Sequence, residues 1–250
     1  MPDNDKWIVR VRRAPGTPRL TLICFAYAGG SPHLFRSWAR GWPADVDVLA
    51  LRLPGHDVRR REQPYTEWKT LVDDVSAVLA PHLSVPHAFY GHSFGARVAY
   101  ELAHRAEPTR TARVFVSGCR SPDWPQARPF LHDLTDAELL GALRAMGGTA
   151  PEVLGNSSVM DVVLPTVRAE IRLAELWGDA HERALAAPIT AIYGRDDAKD
   201  THEAMRGWIS FGGAGTEVVG APGGHFFPDT HRADLLTIID ARIGRDHGHD

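Results

Sequence analysis

Apolar and polar residues follow two periods along this chain. Apolar runs rich in β-branched and aromatic residues predict strands at 7–13, 20–25, 46–53, 87–90, 113–117, 189–193 and 217–219. Apolar residues three or four positions apart predict helices near 35–40, 68–83, 95–105, 201–209 and 232–243. Because strands and helices alternate, we expect an α/β fold with a mostly parallel sheet and helices on both faces.

One segment, 121–187, interrupts this alternation. It contains a Pro-rich stretch and helical patterns over 136–146, 160–164 and 165–177, but no convincing strand. Because it falls between two predicted strands, we expect it to form a helical lid over the carboxyl edge of the sheet. The core would then consist of residues 1–120 and 188–250, in a single domain overall. Met146 and Leu164 are the lid residues that we expect to face a pocket.

Composition limits the broad class of protein. The chain has 250 residues, of which 44% are hydrophobic, so one domain can bury a large core. No apolar run approaches the roughly 20 residues that span a bilayer, and the charged N-terminus lacks the apolar centre of a signal peptide. We therefore expect a cytoplasmic protein without a membrane partner. The net charge of −3 argues against nucleic-acid binding.

Metal and disulfide chemistry are not expected. The two cysteines, Cys24 and Cys119, lie at predicted strand ends and are typical of small buried hydrophobic residues. Of the 13 histidines, His181, His202 and His231 fall in polar helical stretches and are expected to be solvated. We accordingly predict no metal site and no bound cofactor.

The strongest motif lies between the strand at 87–90 and the helix at 95–105. It has the sequence GHSFG and places Ser93 in a G-x-S-x-G pattern between a strand and a helix. This context is typical of a nucleophile elbow, a sharp turn that exposes a serine hydroxyl above the sheet. Gly91 and Gly95 fit because the turn leaves no room for neighbouring Cβ atoms.

A base and an acid follow in the order that this architecture requires. Asp196 and Asp197 come after the strand at 189–193, and His225 comes after the strand at 217–219. Both loops should lie at the carboxyl edge of the sheet with Ser93. We take Ser93 as nucleophile, His225 as base and Asp197 as the acid that orients it. Chain order does not separate Asp197 from Asp196, which stays an alternative.

An oxyanion hole needs two backbone N–H groups aimed at the reacting carbonyl oxygen. One should come from Phe94, the residue after the nucleophile. The other should come from the loop after the strand at 20–25, where the sequence is Tyr27-Ala28-Gly29-Gly30. We predict Ala28 for this second donor, with Tyr27 as the alternative.

Several blocks together resemble one enzyme family. FAYAGGSPHLFRSWA, LRLPGH, YGHSFGARVAYELA, LPTVRAEIRLAE, PITAIYGRDD and PGGHFF, in this order, are similar to the stand-alone type II thioesterases of polyketide and nonribosomal peptide pathways. The resemblance implies an α/β-hydrolase fold with a lid and the site Ser93, Asp197, His225, Phe94 and Ala28. It implies hydrolysis of acyl groups from the phosphopantetheine arm of acyl or peptidyl carrier proteins, which removes stalled or misprimed chains.

The sequence departs from the family pattern in two places. His56 stands in the LPGH block where the family often has Arg. Ala198, Lys199 and Asp200 follow Asp197 where members usually have Pro, another residue and Val.

Other functions remain open at this stage. A carboxylic-ester hydrolase, a product-releasing thioesterase and a non-catalytic binding module all use the same fold. For a carrier partner with acidic helices, the cluster of Arg59, Arg60 and Arg61 is the densest basic candidate surface.

Overall fold

The computed structural model describes residues 4–40, 42–126, 128–147 and 157–243. Within these ranges the strands are β1 (Ile8–Arg12), β2 (Leu20–Phe25), β3 (Val46–Leu51), β4 (His87–His92), β5 (Thr111–Ser117), β6 (Ile189–Gly194) and β7 (Glu217–Ala221). The α-helices are α1 (Asn4–Trp7), α2 (Trp68–Leu79), α3 (Phe94–Arg105), α4 (Asp136–Met146), α5 (Ser157–Leu176), α6 (His202–Arg206), α7 (Phe227–Thr230) and α8 (Arg232–Ile243). Short 3-10 helices lie at Pro32–Trp38, Asp57–Arg59, Ala80–His82, Pro108–Arg110, Leu131–Asp133 and Gly207–Ser210.

The strands form one sheet in the order β1-β3-β2-β4-β5-β6-β7, in which only the β1–β3 pair is antiparallel. The chain order changes direction at β2, because β3 pairs with one of its edges and β4 with the other. Register places Cys24 beside Tyr90 and Phe25 beside Gly91, so β2 and β4 end close to each other. Their following loops therefore emerge side by side, at the position where open α/β sheets bind ligands.

The sheet is buried on both faces. In β2, Ile23 and Phe25 pack in one core with Val98 of α3, whereas Cys24 packs in a second core with Ile239 of α8. Alternating side chains of one strand thus enter opposite cores, as a sheet between two helical layers requires. Each fully buried side chain of this size contributes about 1.5–3 kcal/mol. This arrangement confirms the predicted α/β fold.

The predicted strands are present with small differences at their ends, and the main differences lie in helices. The segment at 35–40 is a 3-10 helix, Pro32–Trp38. The expected break at Pro165 is wrong, because α5 runs through it. The Pro165 side chain is exposed while Leu164 and Val167 are buried. Burial of that apolar face offsets the one backbone hydrogen bond that proline removes.

Residues 121–187, which we call the insertion, connect β5 to the neighbouring strand β6. Their described part contains α4, α5 and the 3-10 helix Leu131–Asp133. The described residues include no helix with both the length and the apolar character needed to cross a membrane. Cys24 and Cys119 are both buried and free.

Candidate active site

Ser93 forms the turn between β4 and α3. β4 ends at His92 and α3 begins at Phe94, so a single residue joins strand to helix. The Ser93 backbone has a φ of 54° and a ψ of −114°, a conformation that residues other than glycine rarely adopt. Its amide donates a hydrogen bond to the carbonyl of Ser117, at 2.8 Å, which ties the turn to β5. Backbone strain of this kind persists where the surrounding structure enforces it, as at a nucleophile elbow.

Two glycines make this turn possible. A Cβ on Gly91 would lie 1.9 Å from the carbonyl oxygen of Gly95. A Cβ on Gly95 would lie 2.4 Å from the carbonyl oxygens of Phe25 and Ala26. Since no side chain fits at these distances, glycine is required at both positions. The first turn of α3 can therefore pack directly against the end of β2.

His225 lies in the loop after β7 and contacts an acid from the loop after β6. Its Nδ1 is 2.8 Å from Oδ2 of Asp197. The other oxygen of Asp197 accepts hydrogen bonds from the amides of Lys199, at 2.8 Å, and Asp200, at 3.1 Å. These bonds fix the buried carboxylate against the imidazole. Asp196, the sequence alternative, is exposed, and the hydrogen bond of His225 is made with Asp197 instead.

A second carboxylate contacts the same nitrogen of His225. Oδ2 of Asp200 lies 3.3 Å from His225 Nδ1, and Asp200 is 5% exposed. Its other oxygen accepts hydrogen bonds from the backbone amide and Nε of Arg120, both at 3.1 Å. The sequence marked 198–200 as unusual for the family but did not place Asp200 in the site.

The two carboxylates change the protonation of His225. Burial alone would lower the pKa of His225, but hydrogen bonds to Asp197 and Asp200 outweigh burial and raise that pKa to about 9. For Asp197, burial would raise the pKa, but the hydrogen bond and charge of His225 prevail and lower it to about 2. The site therefore stabilises an imidazolium, the species that forms when a histidine takes the proton of a serine.

The same three side chains are the group in the described residues that could hold a metal ion. Asp197, Asp200 and His225 each offer one ligand atom, and these atoms lie within 4.8 Å of one another. Their geometry fits an acid–histidine pair better, because the Arg120 guanidinium and two backbone amides already bind the carboxylate oxygens.

Ser93 and His225 line a common cavity of about 190 Å³. Within the described residues, no hydrogen bond joins the Ser93 hydroxyl to His225. Nucleophile–base hydrogen bonds are often long or poorly aligned without substrate, so the missing bond does not argue against proton transfer from Ser93 to His225.

The loop after β2 brings the predicted second oxyanion donor to this cavity. Ala28 and Phe94 both line it, as does Tyr27. Among the described residues, no acceptor receives a hydrogen bond from the amide of Ala28 or Phe94. Both amides are thus available to an incoming carbonyl oxygen. The Tyr27 hydroxyl donates to Asp229 at 3.1 Å, which fixes the residue beside Ala28.

Glu170 and His56 form a buried pair that contacts the loop after β2 from the side of the insertion. Oε2 of Glu170, in α5, accepts a hydrogen bond from the amide of Gly29 at 2.7 Å. Oε1 of Glu170 lies 2.7 Å from Nε2 of His56, and both side chains are buried. Burial would lower the pKa of His56, but the charge of Glu170 outweighs it and raises that pKa. The sequence singled out His56 as a family departure and did not identify Glu170 as its partner.

The insertion contributes several apolar residues to the lining of this cavity. They include Leu143 and Met146 of α4 and Ile171 of α5. Leu164 does not line this cavity, contrary to our expectation. It packs instead with Leu139 in the insertion's own core, because its helix face turns toward α4.

The predicted basic cluster is only partly on the surface. Arg59 is buried, with its guanidinium 3.7 Å from the centre of the Trp7 ring and a 2.7 Å ion pair to Glu62. Arg60 and Arg61 are exposed. Arg59 therefore packs in the interior and does not belong to a surface that a carrier protein could contact.

A serine at a strand–turn–helix elbow, with an Asp–His pair from later loops at the same sheet edge, is the arrangement of an α/β-hydrolase. Within this class, the sequence profile of the family described as "Thioesterase domain" matches residues 20–243. The chain therefore belongs to the thioesterase family, and it is a thioester hydrolase.

Individual relatives agree along nearly the whole chain. The Gramicidin S biosynthesis protein GrsT of Aneurinibacillus migulanus is 31% identical over 238 residues, which cover 94% of this chain and 93% of the relative. The solved type II thioesterase BorB from the borrelidin biosynthetic cluster is 33% identical, with a TM-score of 0.86 and coverage of 96% of this chain and 98% of that one. RedJ, a thioesterase of the prodiginine pathway in Streptomyces coelicolor, is 32% identical, with a TM-score of 0.81 and coverage of 92% and 93%. The resemblance to type II thioesterases is thus confirmed.

Proposed function

We propose that the protein hydrolyses acyl thioesters on the phosphopantetheine arm of acyl or peptidyl carrier proteins, and so removes stalled or misprimed chains in polyketide or nonribosomal peptide synthesis. The observation that carries this proposal is one cavity that is lined both by Ser93 and His225 and by apolar residues of the insertion. Such a cavity suits an acyl chain. The names of GrsT, BorB and RedJ, all from biosynthetic pathways, support it. The substrate brings the phosphopantetheine, so the protein needs no cofactor of its own.

The first half of the reaction forms an acyl-enzyme. Ser93 Oγ attacks the thioester carbonyl carbon while His225 Nε2 takes the hydroxyl proton. Asp197 and Asp200 on Nδ1 stabilise the resulting imidazolium. The amides of Ala28 and Phe94 stabilise the negative carbonyl oxygen. The C–S bond then breaks, and His225 returns the proton to the pantetheine sulfur.

The second half releases the acid. His225, again neutral, takes a proton from water, which attacks the acyl carbon on Ser93. The same two amides bind the second oxyanion. When the ester C–O bond breaks, His225 gives its proton back to Ser93 Oγ, the acyl group leaves as a carboxylic acid, and the cycle closes.

The insertion acts in this proposal as a lid that shapes the acyl site. Met146 and Ile171, which line the cavity with Ser93, contact the acyl chain in this proposal. Arg60 and Arg61 remain as exposed basic residues for an acidic carrier helix.

The test compares kcat/KM for one acyl group on a carrier protein, on coenzyme A and as an oxygen ester. We expect the carrier thioester to be the best substrate and Ser93→Ala to hydrolyse none of them. Mass spectrometry of the quenched wild type should place the acyl group on Ser93. An oxygen ester hydrolysed as well as the carrier thioester would instead support a carboxylic-ester hydrolase.

A further inference from the structure

Arg97 is a buried cation on the wall of the cavity, and within the described residues no acid forms an ion pair with it. It lies on α3, one helical turn after Ser93, and lines the same cavity. The residue is only 8% exposed, and its guanidinium carbon lies 5.4 Å from the centre of the Trp177 ring. Its Nε is fully buried and has no hydrogen-bond partner among the described residues. A buried charge in such a position is costly unless an opposite charge pairs with it.

The carboxylates of neighbouring elements are engaged elsewhere. Glu101, one turn further along α3, accepts hydrogen bonds from Trp177 Nε1 at 2.7 Å and contacts His181 Nε2 at 3.1 Å. Glu175 of α5 accepts from the amides of Leu131 and His132, at 2.8 and 3.1 Å. Asp200 binds Arg120 and His225. Within the described parts of the chain, none of these acids forms an ion pair with Arg97.

Position decides which part of a substrate reaches Arg97. Arg97 and Ser93 line the same cavity of about 190 Å³, so an acyl group attached at Ser93 shares this space with Arg97. In a carrier thioester the phosphate lies at the far end of the pantetheine arm, beyond the sulfur. The group next to Arg97 therefore belongs to the acyl chain.

We propose that Arg97 binds the carboxylate of an acyl group derived from a dicarboxylic acid, with that carboxylate a few carbons from the thioester carbonyl. This inference rests on the proposed thioesterase function and names its substrate class. A guanidinium suits the task because its planar N–H groups match both oxygens of a carboxylate. The apolar residues Leu143 and Ile171 would contact the methylenes between the two carbonyl groups.

The test uses matched acyl groups of equal length on one carrier protein, succinyl against butyryl and glutaryl against pentanoyl. We expect the wild type to prefer the dicarboxylic member in kcat/KM by about 10- to 100-fold, the range for a hydrogen bond to a charged group. Arg97→Leu should abolish this preference, and Arg97→Lys should keep part of it. Arg105→Leu, a control on the exposed end of the same helix, should leave the preference unchanged.

Other outcomes overturn the proposal. An unchanged succinyl-to-butyryl ratio in Arg97→Leu, whether or not both rates fall, would show that Arg97 does not bind the acyl carboxylate. An equal loss on both carrier substrates in Arg97→Leu that is absent on phosphate-free N-acetylcysteamine thioesters would make the phosphate the ligand of Arg97.

If the wild type turns over none of the thioesters, the proposed function itself fails, and this result is distinct from failure of the Arg97 proposal. Binding of succinyl and butyryl pantetheine amides to Ser93→Ala, measured by calorimetry, then tests the subsite without turnover. The subsite is supported if the succinyl amide binds more tightly than the butyryl amide and if adding Arg97→Leu removes this difference in affinity. Equal binding of the two amides overturns it.

Discussion

The two walls of the cavity are held in place by different means. On the catalytic wall, Ser93 directly follows β4 and His225 lies in the loop after β7, and close backbone contacts hold the Ser93 turn against the end of β2. On the insertion wall, Met146 and Ile171 belong to helices that pack through side chains. Side-chain packing tolerates substitution of similar volume, whereas backbone contact does not. Changes on the first wall should alter the chemistry, and changes on the second should alter which acyl group is accepted.

The largest effect is expected from removing Ser93, the proposed nucleophile. Ser93→Ala should lower kcat by about 10⁴- to 10⁶-fold, because losing a triad member removes covalent catalysis. The fold should persist, since one oxygen at a turn that lines the cavity contributes little to packing. Carrier-thioester hydrolysis and circular dichroism check both points. Turnover near that of the wild type would place the nucleophile elsewhere.

The neighbouring aspartates provide a matched pair on the same wall. Asp197→Asn should lower kcat by up to about 10⁴-fold, because the amide no longer favours the required imidazole tautomer. Asp196→Asn should have little effect, since that side chain is exposed. Kinetics of both variants on one thioester give the comparison. A larger loss in Asp196→Asn would reverse the assignment.

Glu170 links the two walls and should show an intermediate effect. Glu170→Gln should lower kcat by about 10-fold. Deleting an oxyanion donor typically costs roughly 10²–10³-fold in kcat. The smaller loss is expected here because the Gly29 amide still has an oxygen of the glutamine side chain to bind. It also removes the charge that raises the pKa of His56.

The pH dependence of stability separates this effect from simple packing. A raised folded pKa contributes stability that is fully present below the ordinary value of 6.5 and is lost as pH rises through the folded pKa. Glu170→Gln should therefore lower the melting temperature more at pH 5.5 than at pH 8.5. An equal loss at both pH values would mean that the charge on His56 plays no part.

Asp200 should tune the base on the catalytic wall. Asp200→Asn keeps an oxygen for Arg120 but removes a negative charge beside His225, so the pKa of His225 falls. The neutral base then forms at lower pH, and the acid limb of kcat/KM against pH should move to lower pH. Asp196→Asn serves as the control with an unmoved profile. If the acid limb stays in place or moves to higher pH, Asp200 does not raise the pKa of His225.

The smallest change is expected on the insertion wall. Met146→Trp fills part of the acyl site, so the chain length with the highest kcat/KM should become shorter. Each methylene that no longer fits forfeits about 0.8 kcal/mol. Leu164→Met, which alters the insertion core without reaching the cavity, is the matched control. Measuring kcat/KM for acyl groups from acetyl to dodecanoyl on one carrier tests the shift. If neither variant changes this chain-length profile, the acyl chain does not contact the insertion.

The sequence indicated the residues at the strand ends far better than the residues that the helices bring to the site. Ser93, Asp197 and His225 each follow a strand in a short local pattern, and parallel strands bring such loops to one edge. Glu170 and Arg97 lie on amphipathic helices, where an acid or an arginine at one position has no distinguishing pattern. Their contacts depend on how α5 and α3 are rotated against the sheet, which long-range packing decides. For the same reason the sequence could not tell that Leu164 faces α4.

The contact between Glu170 and Gly29 has a consequence for building chimeric enzymes. The insertion supplies the acid, while the core supplies both Gly29 and His56. A foreign insertion grafted between β5 and β6 would leave His56 facing whatever residue it carries at the equivalent position. An arginine there would place two cations together, and an alanine would leave the Gly29 amide without an acceptor. Swapping acyl specificity by exchanging the insertion therefore requires that positions 56 and 170 be transferred as a pair.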